Sequence, residues 1–247
     1  MVSHAADLDR FYSLLERLAS LPGQGRRLVE YRGGSSWPRR GVYFFFEDGE
    51  HRRGQSSSPR VVRVGTHALK INASSTLWGR LRTHRGSRAG GGNHRGSIFR
   101  LHVGTALLRR DTELIQDLPT WGVGQSAPRE VREAEVAHER RVSRYIGAMS
   151  VMWLDIGDDP GPLSRRGYIE RNAIALLSNG LSPLDPPSEA WLGLHSVRDD
   201  IRTSGLWNLN HVREQYDPKF LDAFEHLIDR MGEIAQPGSH PHTDRAR

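Results

Sequence analysis

The chain has 247 residues, a formal net charge of +6 and no cysteine. The absence of cysteine excludes disulfides, thiolate zinc sites and cysteine nucleophiles, and it fits the reducing cytoplasm. The length suffices for one domain with a substantial core. All basic residues except Lys70 and Lys219 are arginines. This charge balance favours a polyanionic partner, nucleic acid or an anionic membrane surface, although a GC-rich genome produces the same arginine bias.

The sequence contains no segment suited to crossing a membrane. No apolar run approaches the roughly 18 residues that span a bilayer. The N-terminal segment carries acidic residues and predicts an amphipathic helix rather than a signal peptide. We therefore expect a cytoplasmic protein with no membrane partner.

The first half of the chain predicts two strands between helices. Residues 5–20 carry leucine and phenylalanine at helical spacing, which predicts an amphipathic helix. Residues 40–47 and 60–66 are rich in aromatic and β-branched side chains, so each predicts a strand. The simplest pairing of the two strands is an antiparallel hairpin with a long loop. Residues 75–85 predict a helix, and the glycine-rich stretch 87–96 predicts no regular structure.

The second half adds one strand and further helices. Residues 97–110 predict a helix, with a strand left open as the alternative by their β-branched content. A charged helix is predicted over 129–146, a third strand over 149–156 and a helix over 164–179. This order predicts the α/β (α+β) class, with a small three-stranded mixed or antiparallel sheet flanked by helices.

The C-terminal part predicts helical additions. Helices are expected over 197–204 and 217–233, and a disordered tail over 235–247. We assign His240 and His242 to this tail rather than to a metal site.

Five side chains are candidates for a catalytic site. Tyr43 lies in the first strand among phenylalanines, where an aromatic side chain usually belongs to the core. Arg63 interrupts a valine-rich strand, so it lies at a sheet edge or points into a site. Arg80 and His84 are four residues apart and share one face of a helix, which also suits a solvated surface. Glu170 is the most informative of the five.

Glu170 begins an apolar stripe with Ala173, Ile174 and Leu177 on one helix face. An inward-facing carboxylate needs a cation, a metal ion or a hydrogen-bond donor to offset its desolvation. A nearby arginine would serve as well as a metal. Asn179 at the end of this helix is either an ordinary helix cap or a support for the site.

The order of these residues resembles the GIY-YIG endonucleases. That family pairs two strands with Gly-Ile-Tyr-like and Tyr-Ile-Gly-like motifs, then places an arginine on one helix and a metal-binding glutamate on a later helix. The segment GVY at 41–43 resembles the first motif, and RVG at 63–65 resembles the second. LWGRLRTH at 77–84 resembles the arginine helix, and YIERNAIALLSN at 168–179 resembles the glutamate helix. The resemblance extends over residues 38–185.

The resemblance implies a role for each candidate residue. Tyr43 would act as general base or orient the attacking water, and His84 would take the phenol proton or hold the hydroxyl. Arg80 would contact the scissile phosphate, and Glu170 would bind Mg²⁺ or Mn²⁺. Arg63 replaces the usual tyrosine of the second motif, and we hypothesise that its charge favours the ionised form of Tyr43.

The chain departs from a minimal domain of this family in several places. An insertion is expected around 86–146, because the arginine and the glutamate are far apart. Residues 1–37 form an N-terminal helix and loop outside the core domain of 38–185. The extension at 186–234 either covers the sheet or binds a partner. Asn179 lies closer to Glu170 than the family spacing suggests.

Several further residues are expected to contact the phosphates of a nucleic acid. Some lie in the glycine-rich loop, which is otherwise an ordinary surface loop, and others lie at the start of the glutamate helix. They are Arg88, Asn93, His94, Arg95, Arg165 and Arg166.

The sequence therefore predicts a metal-dependent endonuclease that acts on nucleic acid, with double-stranded DNA as the expected substrate. One alternative is a catalytically inactive nucleic-acid-binding module of the same fold, which the arginine at position 63 favours slightly. A second alternative is a helical protein-interaction protein whose motifs match by chance. The sequence does not indicate an oligomeric state.

Overall fold

The computed structural model describes residues 3–34, 37–111 and 118–235. The predicted disordered tail at 235–247, with its two histidines, lies outside these residues except for Ala235, which ends the last helix.

The described residues contain one antiparallel sheet of four strands in the order β1-β4-β2-β3. Both motif strands of the resemblance are present, and they pair as the predicted antiparallel hairpin. The predicted long loop is wrong, because both strands extend through the polar segment and only residues 53–54 connect them. The bounds are β1 (Arg26–Arg27), β2 (Gly41–Arg52), β3 (Gln55–Gly65) and β4 (Ser150–Asp155).

The prediction of three strands was therefore wrong by one, and the sheet is antiparallel rather than mixed. The additional strand, β1, has only two residues, Arg26 and Arg27, and both are exposed. It pairs with Val151 and Ser150 of β4. Two exposed arginines carry no alternation of apolar and polar residues, so no local pattern could reveal a strand that forms by pairing at the sheet edge.

Helices cover both faces of this sheet, close to the positions that the sequence predicted. The segment after the glycine-rich stretch is a helix rather than a strand. None of the helices in the described ranges has the length and apolar character needed to cross a membrane. The α-helices are α1 (His4–Ala19), α2 (Leu77–Arg85), α3 (Ile98–Arg110), α4 (Arg129–Ala148), α5 (Arg165–Leu177), α6 (Asp199–Ser204) and α7 (Phe220–Ala235).

Strand β2 separates two hydrophobic layers because its side chains alternate between the faces of the sheet. Val42 and Phe44 pack with apolar residues of α1, α5 and α7. Tyr43 and Phe45 point to the opposite face, where they pack with apolar residues of α2, α3 and α4. The candidate catalytic tyrosine therefore lies on the face covered by the arginine helix.

The C-terminal segment covers the outer edge of β3, the last strand of the sheet. The Trp207 amide donates to the Val62 carbonyl at 2.8 Å. The Asn208 carboxamide accepts from the Val64 amide at 3.1 Å and donates to the Val64 carbonyl at 2.8 Å. These bonds occupy backbone groups that an edge strand would otherwise expose. The sequence left open whether the extension covers the sheet or binds a partner. The structure shows that it covers the edge strand of the sheet.

Candidate active site

The first functional group is the Tyr43 hydroxyl, which is fully buried on β2. Tyr43 lies opposite Gly65 in the β2–β3 register. A β-carbon on Gly65 would lie 2.3 Å from the Tyr43 hydroxyl oxygen, which is closer than any non-bonded contact allows. The glycine of the second motif therefore provides the space that the tyrosine of the first motif occupies.

His84 of α2 holds the other side of this hydroxyl. Its Nε2 lies 2.8 Å from the Tyr43 oxygen, and its Nδ1 lies 2.8 Å from Oγ of Ser97. Burial, with the nearby Arg63, Arg80 and Arg100, holds the pKa of the His84 imidazole well below its usual value. The ring is therefore neutral at neutral pH.

Ser97 determines which ring nitrogen of His84 carries the hydrogen. Its Oγ, at the N-cap of α3, accepts the Arg100 amide at 3.3 Å. Among the described residues, the only acceptor for the Ser97 hydroxyl proton is Nδ1 of His84. This pattern favours the tautomer in which Nε2–H donates to the Tyr43 oxygen. No motif pointed to Ser97, although a serine that precedes an apolar helical segment is a recognisable capping signal.

Arg63 points into the protein on the same face as Tyr43. It lies opposite Phe45 in the strand register, and 7% of its surface is exposed. Its Nη1 donates to the Trp207 carbonyl at 2.5 Å, and its guanidinium lies 4.5 Å from the centre of the Phe99 ring. The two alternatives for Arg63 both hold, because it lies on the edge strand β3 and its side chain lines the cavity.

Glu170 of α5 faces the ends of both motif strands. Its Oε1 accepts the Thr66 amide at 2.9 Å, and the Thr66 hydroxyl donates to the Gly41 carbonyl at 2.8 Å. Burial raises the pKa of the Glu170 carboxyl, and Arg63 is the largest of the opposing influences. Among the described residues Glu170 makes no ion pair within 4.0 Å, so the arginine partner expected as an alternative to a metal is not in contact with it.

The Glu170 carboxylate suits a hard divalent cation. Its Oε2 makes no hydrogen bond with any described residue, whereas Oε1 is held by the Thr66 amide. Mg²⁺ and Mn²⁺ prefer oxygen ligands, and Mg²⁺ usually keeps several waters, so few protein ligands are needed. Within the described ranges, no group of three or more histidine, aspartate or glutamate side chains is arranged to hold a metal.

The residues predicted to form the catalytic site converge on one cavity of about 960 Å³. Tyr43, Arg63, Arg80 and Glu170 all line it, and His84 lies behind Tyr43. Arg80 is half-buried, and its guanidinium makes no hydrogen bond or ion pair with the part of the chain that the structure describes. Arg80 is therefore available to an anion that enters the cavity.

Three further histidines line this cavity, and no motif had pointed to them: His67, His102 and His211. Burial, followed by the neighbouring arginines, lowers the pKa of both His67 and His102 to about 4. His67 lies two residues after Gly65 of the second motif, so its position in the sequence was a usable signal. His211 comes from the C-terminal segment, far from every motif of the site.

Arg166 has an internal role rather than an exposed one. Its side chain is fully buried, pairs with Asp158, and donates to the carbonyls of His67 and Ala68. It therefore fixes the loop that follows Thr66 in the chain and lines the cavity. Arg165, its neighbour, is exposed.

The glycine-rich loop is fastened to α4 by two of the residues expected to contact nucleic acid. His94 is buried, and its Nδ1 lies 3.0 Å from a Glu139 carboxylate oxygen. The centre of its ring lies 3.9 Å from that of Trp121, with the planes tilted by 30°. Arg95 pairs with Glu135 at 2.6 Å. Their side chains therefore hold internal partners instead of facing solvent.

Asn93 and Arg88 are exposed, and the Asn93 side chain caps the Arg95 amide at 3.0 Å. Asn179 lies outside the cavity lining, where its side chain binds both backbone groups of Asp185 and the Ser204 carbonyl. The C-cap residue of α5 is Ser178, so Asn179 is not the helix cap either.

A family model described as the GIY-YIG domain matches residues 2–234. Because the match covers most of the chain, and the paired motif strands and glutamate helix surround one cavity, the protein belongs to the GIY-YIG family. This family implies nuclease activity. No match was found among curated proteins or among solved structures.

Proposed function

We propose that the protein is a metal-dependent endonuclease that hydrolyses phosphodiester bonds in double-stranded DNA. The observation that carries this proposal is the convergence of Tyr43, Arg80 and Glu170 on one cavity, with His84 bonded to the tyrosine. Phosphodiester hydrolysis requires an activated water, charge stabilisation at the phosphate and help for the leaving oxygen. A tyrosine hydroxyl, an arginine and a metal-binding carboxylate can supply these three functions.

Arg80 binds the scissile phosphate in this mechanism. A planar guanidinium suits two phosphate oxygens at once. Because Arg80 has no internal ion pair among the described residues, it need not break one to bind the substrate. Arg63 adds a second positive charge on the same wall.

Tyr43 positions and deprotonates the attacking water. The Nε2–H of neutral His84 donates to the tyrosine oxygen, which stabilises a phenolate without adding a proton to it. The water proton moves to the phenolate oxygen, the hydroxide attacks phosphorus, and the phosphorus–oxygen bond to the leaving group breaks. The departing alkoxide takes a proton from solvent and becomes the alcohol. We propose that Arg63 further favours the phenolate, since it lies on the same sheet face.

Glu170 would hold the divalent cation through Oε2, while the Thr66 amide fixes Oε1. A cation bound there supplies charge stabilisation at the phosphate and the leaving oxygen.

A second basic cleft suggests a path for the rest of the nucleic acid. The cleft has a volume of about 760 Å³ and lies at the far end of α2 from Arg80, where Arg85 lines it. Arg32, Arg88 and Arg144 also line it, are exposed, and make no ion pair within the described residues. We propose that this arginine cleft holds the phosphate backbone beside the scissile bond.

The charge in the arginine cleft is concentrated. The pKa of the Arg85 guanidinium is lowered, first by burial and then by repulsion from Arg88 and Arg82. The carboxylate in the lining, Glu30, pairs with Arg26 at 3.4 Å. A polyanion would relieve this repulsion.

The proposal is tested by incubating the protein with supercoiled plasmid in Mg²⁺ or Mn²⁺, beside Glu170→Ala and an EDTA control. We expect nicking or linearisation that disappears in both controls. Equal cleavage by wild type and variant would refute the placement of the site. Plasmid binding without cleavage in any lane would favour the second candidate, an inactive binding module, for which the arginine at position 63 is the supporting observation.

A further inference from the structure

His211 lies in the wall of the active-site cavity, where one of its ring nitrogens makes a hydrogen bond and the other does not with any described residue. Its Nδ1 is 2.8 Å from Oε1 of Glu214. A carboxylate accepts, so Nδ1 carries a hydrogen and Nε2 faces outward. Among the described residues, Nε2 makes no hydrogen bond, and the side chain is 30% exposed. Metal-binding histidines commonly donate their second ring nitrogen to a carboxylate in this manner.

The backbone at His211 is held in an uncommon conformation. Its φ is 67°, in the left-handed region that non-glycine residues rarely adopt. Such a conformation persists only where surrounding contacts impose it, and these positions cluster at functional sites. On one side Asn208 binds Val64 of β3, and on the other the Ser178 hydroxyl binds the Val212 carbonyl at 2.6 Å.

The same helix positions both Glu170 and His211. Arg171, the residue after Glu170 on α5, donates to Oε2 of Glu214 at 2.5 Å, and Glu214 in turn binds His211. Both Glu170 and His211 line the same cavity. The helix that carries Glu170 therefore also holds, through Arg171 and Glu214, the segment that places His211 in the wall of the same cavity.

We propose that His211 is a ligand of the divalent metal ion, binding through Nε2 beside the Glu170 carboxylate. The inference rests on the proposed function, which places a metal at Glu170. The negative charge of Glu214 behind the imidazole strengthens its nitrogen as a donor. The remaining positions belong to water and to phosphate oxygens.

A nitrogen ligand changes the metal that the site prefers. Mg²⁺ and Ca²⁺ favour all-oxygen surroundings, whereas imidazole suits transition metals. We therefore infer that this protein binds Mn²⁺ more tightly than Mg²⁺, and that His211 is the cause.

The test is Mn²⁺ binding to the full chain, followed by electron paramagnetic resonance. His211→Asn is the informative variant, because an asparagine amide nitrogen replaces Nδ1 in the bond to Glu214 and removes Nε2. Asparagine also tolerates the left-handed backbone. His226→Asn, at an exposed position of α7, is the matched control.

We expect wild-type protein to show the nitrogen coupling of a directly bound imidazole. His211→Asn should lose that coupling and bind Mn²⁺ about tenfold or more weakly, since loss of even an outer partner costs about 10–100-fold. Its preference for Mn²⁺ over Mg²⁺ should shrink, while His226→Asn should match wild type.

Two results would overturn the inference in different ways. If Glu170→Gln loses Mn²⁺ binding but His211→Asn keeps both affinity and spectrum, the metal site stands and His211 is not its ligand. If wild-type protein binds no Mn²⁺ at all, the proposed metal-dependent function fails together with this inference.

Discussion

At the scale of single residues, the site depends on close contact between the two motif strands. Gly65 leaves the space for the Tyr43 hydroxyl, and Ser97 and His84 fix the hydrogen bond that the hydroxyl receives. The tyrosine has no room to move toward β3. Small changes near this oxygen should therefore affect the reaction more than the stability of the fold.

Gly65→Ala tests this contact. The new methyl group would overlap the tyrosine oxygen, so we expect the hydroxyl to shift from His84 and cleavage to slow about 100-fold, the usual cost of a displacement near 1 Å. Gly157→Ala is the control, because a β-carbon there meets no atom within 4 Å. Plasmid cleavage at the wild-type rate by Gly65→Ala would contradict the account.

The buried neutral histidines predict a pH dependence of stability. Burial, followed by Arg63 and Arg198, lowers the pKa of His102 to about 4, whereas the unfolded value is about 6.5. Between these two pH values, His102 binds more protons in the unfolded chain than in the folded protein. Its contribution to the free energy of unfolding is therefore fully present above pH 6.5 and is lost as the pH falls toward 4.

The slope from such a histidine is at most about 1.4 kcal/mol per pH unit. His102→Asn should therefore lose less stability than wild type between pH 7 and pH 5, as measured by urea unfolding at each pH. An identical change in both proteins would show that folding does not lower the pKa of His102.

At the scale of elements, α5 does more than carry Glu170. Its first turn holds the loop at His67 and Ala68 through Arg166, and its next residues hold the C-terminal segment through Arg171 and Glu214. Two adjacent arginines in this helix have opposite surroundings, because Arg165 is exposed and Arg166 is buried. This pair offers a matched comparison.

Arg166→Ala should destabilise the protein by about 3–5 kcal/mol, since it leaves Asp158 and two carbonyls without their partner. Arg165→Ala should change stability by no more than about 0.5 kcal/mol, as surface substitutions usually do. Chemical denaturation of the two variants measures the difference. Equal effects would show that the Arg166 side chain does not hold the loop.

Some of these elements could be predicted from the sequence, and others could not. The strands and helices around Tyr43, Arg80 and Glu170 were predictable because periodicity and ordered motifs are local signals. The two-residue strand β1 and the placement of His211 were not, since both depend on partners distant in the chain. The same holds for His94, whose buried bond to Glu139 spans 45 residues.

At the scale of the whole molecule, part of the positive charge is concentrated at two hollows. Many arginines are used internally. Four line the active-site cavity and the arginine cleft with guanidinium groups that form neither an ion pair nor a hydrogen bond among the described residues: Arg80, Arg32, Arg88 and Arg144. Both hollows border α2. A phosphate backbone lying along this helix would contact both.

The arginine cleft predicts a salt-dependent contribution to binding. Replacing Arg32, Arg88 and Arg144 together by alanine should weaken DNA binding and reduce the slope of log affinity against log salt by about 0.9 for each phosphate that the protein no longer neutralises. Arg230→Ala, exposed on the opposite side of the sheet, should leave the slope unchanged. Fluorescence anisotropy over a salt series measures both, and an unchanged slope in the triple variant would remove the cleft from the binding path.

The measurement that tests the central claim most directly is single-turnover cleavage of duplex DNA by Tyr43→Phe, with binding measured in the same samples. The variant removes one oxygen and keeps the ring in its buried position. The account predicts unchanged binding and cleavage that is slower by about 10²–10⁴-fold, the usual contribution of a positioned general base. Cleavage at the wild-type rate with unchanged binding would contradict the account, because the Tyr43 hydroxyl would then take no part in the reaction.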